Sequence, residues 1–292
     1  MLEQKRIRDY GIKVGELEAG DKNSITDIKG IKVGHVTISK GKEVNTGVTA
    51  LLPHTGDIFN NKLIAASHVI NGFGKTMGTI QINELGLLET PIILTNTLSV
   101  GTTTQALTEY MLAQNPEIGD KTGTVNPVVC ECNDQYLNEI RGCHIEKKDV
   151  LKAITKASDS FEEGDAGAGK GMSCYELKGG IGTASRVLNI NEMKYTVGIM
   201  VLSNFGKSKD FILNGKPVGQ KLTEALKKEA EKNNEKVVIN NKKNDADERE
   251  KGSIIVILAT NIPMTSHQVN RLCKRAIIGL NRTGSYMGNG SG

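Results

Sequence analysis

A layered α/β protein with more than one β-sheet is the fold class this sequence predicts. Three features carry that expectation: short β-branched runs bounded by turn residues, helical apolar stripes between them, and 33 glycines in 292 residues. The first two set strands and helices in alternation. The many glycines and short strands argue against a simple doubly wound sheet. No internal repeat divides the chain, which reads as a single domain over residues 1–292.

Residues 27–38, punctuated by Gly30 and Gly34, are expected to supply two short strands. Residues 47–52 (GVTALL) and 91–94 (PIIL) read as buried strands between turn residues. After Asp149, the apolar positions Val150, Leu151, Ile154 and Phe161 keep helical spacing. Residues 195–202 (YTVGIMVL) and 253–259 (SIIVILA) are again strands. A helix follows Pro263, with Val269, Leu272, Cys273, Ala276, Ile277 and Leu280 on one stripe. Thr265 and Gln268 have the form of a capping box at its start, and Gly284 stands where a C-terminal cap would end it.

One stretch differs from the rest. Residues 227–251 are polar apart from Val237, Val238 and Ile239, so they can bury little, and their latter half reads as a mobile loop. Gly252, Ser253 and an abruptly apolar strand follow it.

Composition excludes several classes of function. The formal charge is only +4, and the densest charged run, residues 227–251, sets eight Lys and Arg against seven Asp and Glu. That balance leaves no basic footprint for nucleic acid, and with no Trp and 4% aromatics there is little to stack bases on. No apolar run reaches the roughly 18–20 residues of a membrane helix, and no apolar stretch of a signal peptide follows Met1. Cys130, Cys132, Cys143, Cys174 and Cys273 are an odd set without framework spacing, as expected of reduced thiols in the cytoplasm.

Two motifs invite a metal or nucleotide reading and are weaker than they look. Residues 164–171 (GDAGAGKG) nearly spell a phosphate-binding loop, but Gly171 replaces the hydroxyl residue that would hold magnesium, and a helix rather than a strand precedes it. A glycine turn needing close backbone approach is the better reading. Cys130 and Cys132 with Cys143 and His144 lack the spacing of a structural zinc site, and His35, His54, His68, His144 and His267 form no metalloprotease pair. Neither metal nor organic cofactor is expected. A Ser-His-Asp arrangement has no nucleophile-elbow motif behind it. Gly252-Ser253 is better motivated: a serine exposed by cleavage would carry an α-amine with a pKa of about 7.7–8.0, a base that needs no histidine. Glycine before it permits the strained backbone that attack on the preceding carbonyl requires. Taken alone, the dipeptide equally suits a serine that merely opens a strand.

Ordered segments along nearly the whole chain settle that choice by resemblance. They are residues 25–38 (ITDIKGIKVGHVTI), 47–54 (GVTALLPH), 89–102 (ETPIILTNTLSVGT), 125–137 (VNPVVCECNDQYL), 178–186 (KGGIGTASR), 203–206 (SNFG), 252–260 (GSIIVILAT), His267-Gln268 and 282–292 (RTGSYMGNGSG). Together they resemble the L-aminopeptidase/D-esterase and β-peptidyl aminopeptidase family of self-processing N-terminal-serine peptidases. The resemblance implies an αββα sandwich of the N-terminal-nucleophile type, four layers deep. It also implies a split between Gly252 and Ser253 into a long chain, 1–252, and the start of a short chain, 253–292.

By the same resemblance Ser253 matches the nucleophile, Asn204 the oxyanion-hole residue, and Tyr136 a hydroxyl beside the tetrahedral intermediate. Glu131 matches the residue facing the substrate's free amine, and Ser291 a second serine that organises the nucleophile. Partners would be small peptides, amides or esters with a free amino group, and copies of the chain in a homo-oligomer. The family pattern has a glycine near Gln135, a threonine near Lys170 and an acid near Lys75, where this chain departs. In relatives an acidic residue and further core follow the position of Gly292, so the resemblance implies a C-terminally shortened chain. Two alternatives stay open: a catalytically silent homologue with a binding function, and an amine acyltransferase of the same architecture, against which a serine nucleophile counts.

Overall fold

The computed structural model describes residues 5–72, 74–232 and 252–286, and among them builds two main sheets, of four and three strands, with three two-stranded ribbons beside them. In the first, β1 (Lys32–Lys40) and β2 (Val44–Leu52) form an antiparallel hairpin, and β3 (Ile92–Asn96) pairs antiparallel with β2. A short helix, α1 (Thr79–Leu85), precedes β3. The fourth strand, β4 (Val128–Cys132), runs parallel to β3. A parallel pair needs a crossover, and α2 (Val100–Gln114) supplies it. In the second sheet β5 (Gly180–Ile190) and β6 (Met193–Asn204) form a long hairpin, and β7 (Ser253–Thr260) lies on the other side of β6.

Strand periodicity explains how the sheets stack. In β2, Val48 and Ala50 join the core that α2 and α3 (Lys147–Thr155) cover, while Leu51 turns to the opposite face. There it meets Val33, Leu94 and Cys132 of its own sheet and Ile181, Met200 and Leu202 of the other, with Ile255 and Ile257 of β7 alongside. The two sheets therefore pack face to face, with a helical layer on the outer face of the first. Leu51, Leu94, Met200 and Leu202 are all fully buried in this seam, and burying each such side chain stabilises the fold by about 1.5–3 kcal/mol.

The α/β layering and the expected strands are present: those at 47–52, 195–202 and 253–259 are extended by one to four residues, and that at 91–94 is shifted to Ile92–Asn96 without Pro91. Residues 27–38 are not two strands: Ile25–Asp27 forms a single 3-10 turn, capped by Ser24, and one strand, β1, follows. Gly34 does not break that strand, because a Cβ there would meet the Ala153 carbonyl at 2.1 Å; the glycine lets α3 cross β1 closely. Phe161 lies beyond the end of α3 and packs its ring against His35, 5.7 Å away.

The helix after Pro263 is two helices, α5 (Ser266–Cys273) and α6 (Ala276–Asn281). Arg275 bonds back to Leu272 three residues earlier, which tightens the chain between them. The Thr265–Gln268 capping box forms, and Gly284 ends the segment with φ +91°. Of the polar run, the start belongs to α4 (Gly219–Lys232); residues 233–251, where the loop was expected, lie outside the described residues.

The glycine-rich run at 164–171 is a structural wedge. A Cβ on Gly169 would stand 2.4 Å from the Gly164 carbonyl, and one on Gly47 2.3 Å from that of Gly167. Lys170 is paired with Asp165 at 2.9 Å rather than presented to a phosphate. Among the described residues no helix is long and apolar enough to cross a membrane.

Candidate active site

Three strand ends converge on one oxygen. Ser253 opens β7, and the antiparallel register sets it directly opposite Asn204, the last residue of β6. From the first sheet β4 ends at Cys132, so Asn133 emerges from the strand at the same place. Asn204 Nδ2 lies 3.0 Å from Ser253 Oγ, and the main-chain N–H of Asn133 donates to the same oxygen at 3.2 Å. Ser253 and Asn204 are both buried, at 3% and 8% exposure, so both bonds form away from bulk water, where such dipoles act most strongly.

The Asn204 amide is held at every atom that can bond. Its second N–H donates to the Asn133 carbonyl at 2.7 Å, and its Oδ1 accepts from the Ser173 N–H at 3.0 Å. The orientation that aims Nδ2 at Ser253 is thus fixed by a donor on the opposite side. The Asn133 end is anchored as well: its side chain accepts from Gln135 N at 3.0 Å, closing the turn. Buried Asp134 takes bonds from Thr46 at 2.6 Å and Asn138 at 3.0 Å. Burial pushes the Asp134 carboxyl above the usual carboxylate range, against these bonds.

The peptide before Ser253 is distinctive. Gly252 has φ +86°, a conformation that any L side chain would strain. The space is tight too: a Cβ would come within 3.2 Å of the Asn204 carbonyl and of Phe205 Cα.

Cys132 does not compete as a nucleophile. Burial pushes its thiol well above the ordinary range, only partly offset by a bond to Ser253, and Cys130 is likewise pushed up to about 12. Neither forms a thiolate near neutrality. Among the described residues no group of three His, Cys, Asp or Glu side chains is placed to hold a metal ion.

Glu131, the penultimate residue of β4, lies two residues before the Asn133 N–H and is 4% exposed. One of its oxygens accepts from the Lys75 main-chain N–H at 3.1 Å, and the other from the Thr97 hydroxyl. A carboxylate has about four lone-pair positions, so these bonds orient it while leaving capacity for another donor.

Ser253 and Asn204 are therefore in direct contact, and Glu131 lies on the strand that leads to the Asn133 donor. Tyr136 sits on the turn after Asn133, half exposed, and among the described residues makes no hydrogen bond to Ser253. Ser291 lies outside the described residues. The residues that sequence reasoning missed are Asn133 and Ser173, which act through main-chain N–H groups. Their side-chain identities carry no signal for that role, and in the segment that holds Asn133 only Glu131 and Tyr136 were named from the sequence.

A strand-opening serine is met by two N–H donors where the ends of two stacked sheets come together. The chain belongs to peptidase family S58, whose family model matches residues 23–292. It is 37% identical to the β-peptidyl aminopeptidase BapA of Sphingosinicella microcystinivorans, over 99% of this chain and 73% of that one. A crystal structure of a Pyrococcus horikoshii OT3 protein superposes with a TM-score of 0.87 at 49% identity, covering 99% of this chain and 77% of that one. The L-aminopeptidase D-Ala-esterase/amidase of Ochrobactrum anthropi, described as a prototype of the serine aminopeptidases and a variant of the N-terminal-nucleophile hydrolase fold, superposes with a TM-score of 0.82. Its identity is 32%, covering 98% of this chain and 76% of that one.

Proposed function

We propose that this peptidase is a self-processing serine aminopeptidase that cuts before Ser253 and then uses the freed serine on aminoacyl amides, small peptides or esters. The observation that carries this reading is the convergence of Asn204 Nδ2 and Asn133 N–H on Ser253 Oγ, directly after the left-handed Gly252.

Processing follows from that geometry. Ser253 Oγ attacks the Gly252 carbonyl carbon, the C–O bond forms, the C–N bond breaks, and the released nitrogen takes the hydroxyl proton. Water then hydrolyses the resulting ester, leaving a Gly252 carboxylate, a free Ser253 hydroxyl and a new α-amine. In turnover that amine, near its ordinary pKa of about 7.7–8.0, accepts the Oγ proton as Oγ attacks the substrate carbonyl. The two N–H donors, which in the precursor meet Ser253 Oγ, would turn to the oxyanion as it forms, and the departing amine takes the proton away. Water releases the acyl group.

Glu131 would receive the substrate's ammonium as a charge-assisted bond, which favours substrates carrying a free amino end. Its buried, already oriented carboxylate supports that role. Likeness to BapA favours β-amino acyl substrates among the candidates. Tyr136 and Ser291 keep their proposed parts, beside the intermediate and beside the nucleophile. The four-layer arrangement, a homo-oligomer of paired chains, a cytoplasmic location and chemistry without a cofactor complete the proposal.

Intact-mass analysis of the purified chain tests it. Two fragments are expected, the smaller beginning Ser-Ile-Ile-Val, and Ser253→Ala should remain whole. A split in that variant, or a different new N-terminus, would rule the reading out.

A further inference from the structure

Asn204 is oriented by the Ser173 N–H, which leaves open what holds Ser173. Ser173 lies in a small hairpin, Ser173–Cys174 paired with Leu177–Lys178, so that Ser173 and Lys178 are direct partners. Lys178 is exposed as a residue, yet its ammonium turns inward. Nζ donates to three main-chain carbonyls: Gly169 at 2.8 Å, Met172 at 3.0 Å and Gly179 at 2.8 Å. All three ammonium donors are thereby used, and no carboxylate is among their acceptors; the neighbouring Asp165 is bonded to Lys170.

One of those carbonyls matters for the site. The Met172 C=O and the Ser173 N–H are the two ends of one peptide group. The ammonium sits on its oxygen; its N–H donates to Asn204 Oδ1, and Asn204 Nδ2 donates to Ser253 Oγ. Two planar, polarisable amides thus stand in series between a cation and the serine oxygen. A positive charge at the carbonyl end draws electron density along such a chain and strengthens each N–H donor down to the last. It also fixes the peptide plane, so the Asn204 amide cannot rotate without losing its Oδ1 partner.

We propose that Lys178 is a positioning residue for the reaction at Ser253, its ammonium orienting and polarising the Asn204 amide through the Met172–Ser173 peptide. The proposal rests on the reading of Ser253 as nucleophile and Asn204 as its donor. Withdrawal of the ammonium from water lowers its pKa, to about 8, with Asp165 acting in the opposite sense and Lys170 in the same. A cation is held there at a cost in solvation that a simple loop staple does not require.

The competing role is purely mechanical, with Lys178 pinning the Gly167–Gly169 turn. The test separates them in the full chain with Lys178→Met, which keeps the stem and removes the charge, and Lys178→Gln, which keeps two N–H donors and guards against a Met variant that does not fold. Four readouts are taken: the rate of splitting before Ser253 by intact mass, kcat and KM of the split enzyme on an aminoacyl amide, Tm, and the Asn204 side-chain amide resonance in a Ser253→Ala background. The expected result is an order Lys, Gln, Met in both rates. The Met variant should be about tenfold slower, less than the hundredfold expected from removing an oxyanion donor itself. KM should stay within about twofold, and the Asn204 resonance should shift. Rates within twofold of wild type would overturn the proposal, as would rate losses that only track Tm and soluble yield while the Asn204 resonance stays put. If Ser253→Ala still splits, or Asn204→Ala splits normally, the underlying reading fails instead. If those two behave as expected and the Lys178 variants do not, only the role of Lys178 is lost.

Discussion

Replacing Asn204 by alanine removes three hydrogen bonds with different consequences. Its Nδ2, on Ser253 Oγ at 3.0 Å, is the donor proposed to meet the adjacent carbonyl oxygen as charge develops there, and losing a donor of this kind costs about 2.7–4 kcal/mol in the transition state. At about 1.4 kcal/mol per tenfold, that is a hundredfold to nearly a thousandfold in rate. The other two bonds, to the Asn133 carbonyl at 2.7 Å and from the Ser173 N–H at 3.0 Å, are structural. Leaving those groups unpaired in a buried site costs about 1–3 kcal/mol each before water or local shifts compensate. Asn204→Ala should therefore split before Ser253 at least a hundredfold more slowly than wild type, and melt several degrees lower. The assay is a time course of intact mass from a pulse of freshly folded protein, with denaturant unfolding of the Ser253→Ala and Ser253→Ala/Asn204→Ala pair for stability. Splitting at the wild-type rate would refute the reasoning outright. So would a slow variant whose Asn204→Asp counterpart, which keeps an oxygen for Ser173 but lacks the donor, splits normally.

Three further outcomes follow from other parts of the site and core. Gly252→Ala, made in a Ser253→Ala chain so that splitting does not intervene, should lower unfolding free energy by about 1–2 kcal/mol because φ +86° is left-handed; an unchanged urea midpoint would show that the backbone is not constrained there. Glu131→Gln should raise KM for amine-bearing substrates at least tenfold while self-splitting continues, since no free amine exists in the precursor; equal KM in both enzymes would remove Glu131 from substrate binding. His35 is held neutral, burial lowering its pKa from 6.5 to about 4, with Nδ1 hydrogen-bonded to the Thr49 hydroxyl at 2.8 Å. The unfolded state then binds the extra proton between those values, so stability is full above pH 6.5 and falls with pH through 4. The loss amounts to about 3 kcal/mol that a His35→Gln variant should not show in urea titrations at pH 7 and pH 4.

The sequence showed best what periodicity encodes. Runs such as GVTALL and SIIVILA are β-branched and bounded by turn residues, and each is a strand. VVCEC is also a strand, but its two cysteines drew attention to thiol and metal chemistry, and they fill the core at the end of β4 instead. The fifteen residues of α2 went unread because its buried positions include Val100, Thr103 and Ala106, which draw no clear apolar stripe. The site was legible only in part. Gly252-Ser253 and Asn204 could be named, through resemblance more than spacing, but nothing in the one-dimensional order says that positions 204 and 253 are cross-strand partners. That is a matter of register between strands 48 residues apart. The Asn133 donor is less visible still, because every residue but proline owns a main-chain N–H and only the fold decides where it points.

The convergence of strand ends from two sheets has a consequence for biosynthesis. Asn133 and Asn204 leave the ribosome before Ser253; Asn204 meets the serine once β6 and β7 pair, but Asn133, from the other sheet, cannot reach it until Leu51, Leu94, Met200 and Leu202 have locked the sheets together. On the proposed chemistry the peptide bond before Ser253 is then a fuse that only the finished seam can light. A chain whose core is faulty anywhere along that seam keeps the bond whole and its amine unborn, and so carries no peptidase activity into the cell. The ratio of whole to split chain becomes a built-in gauge of folding. Core substitutions far from the serine, such as Met200→Ala, should register on it as unsplit protein before any loss of solubility is seen.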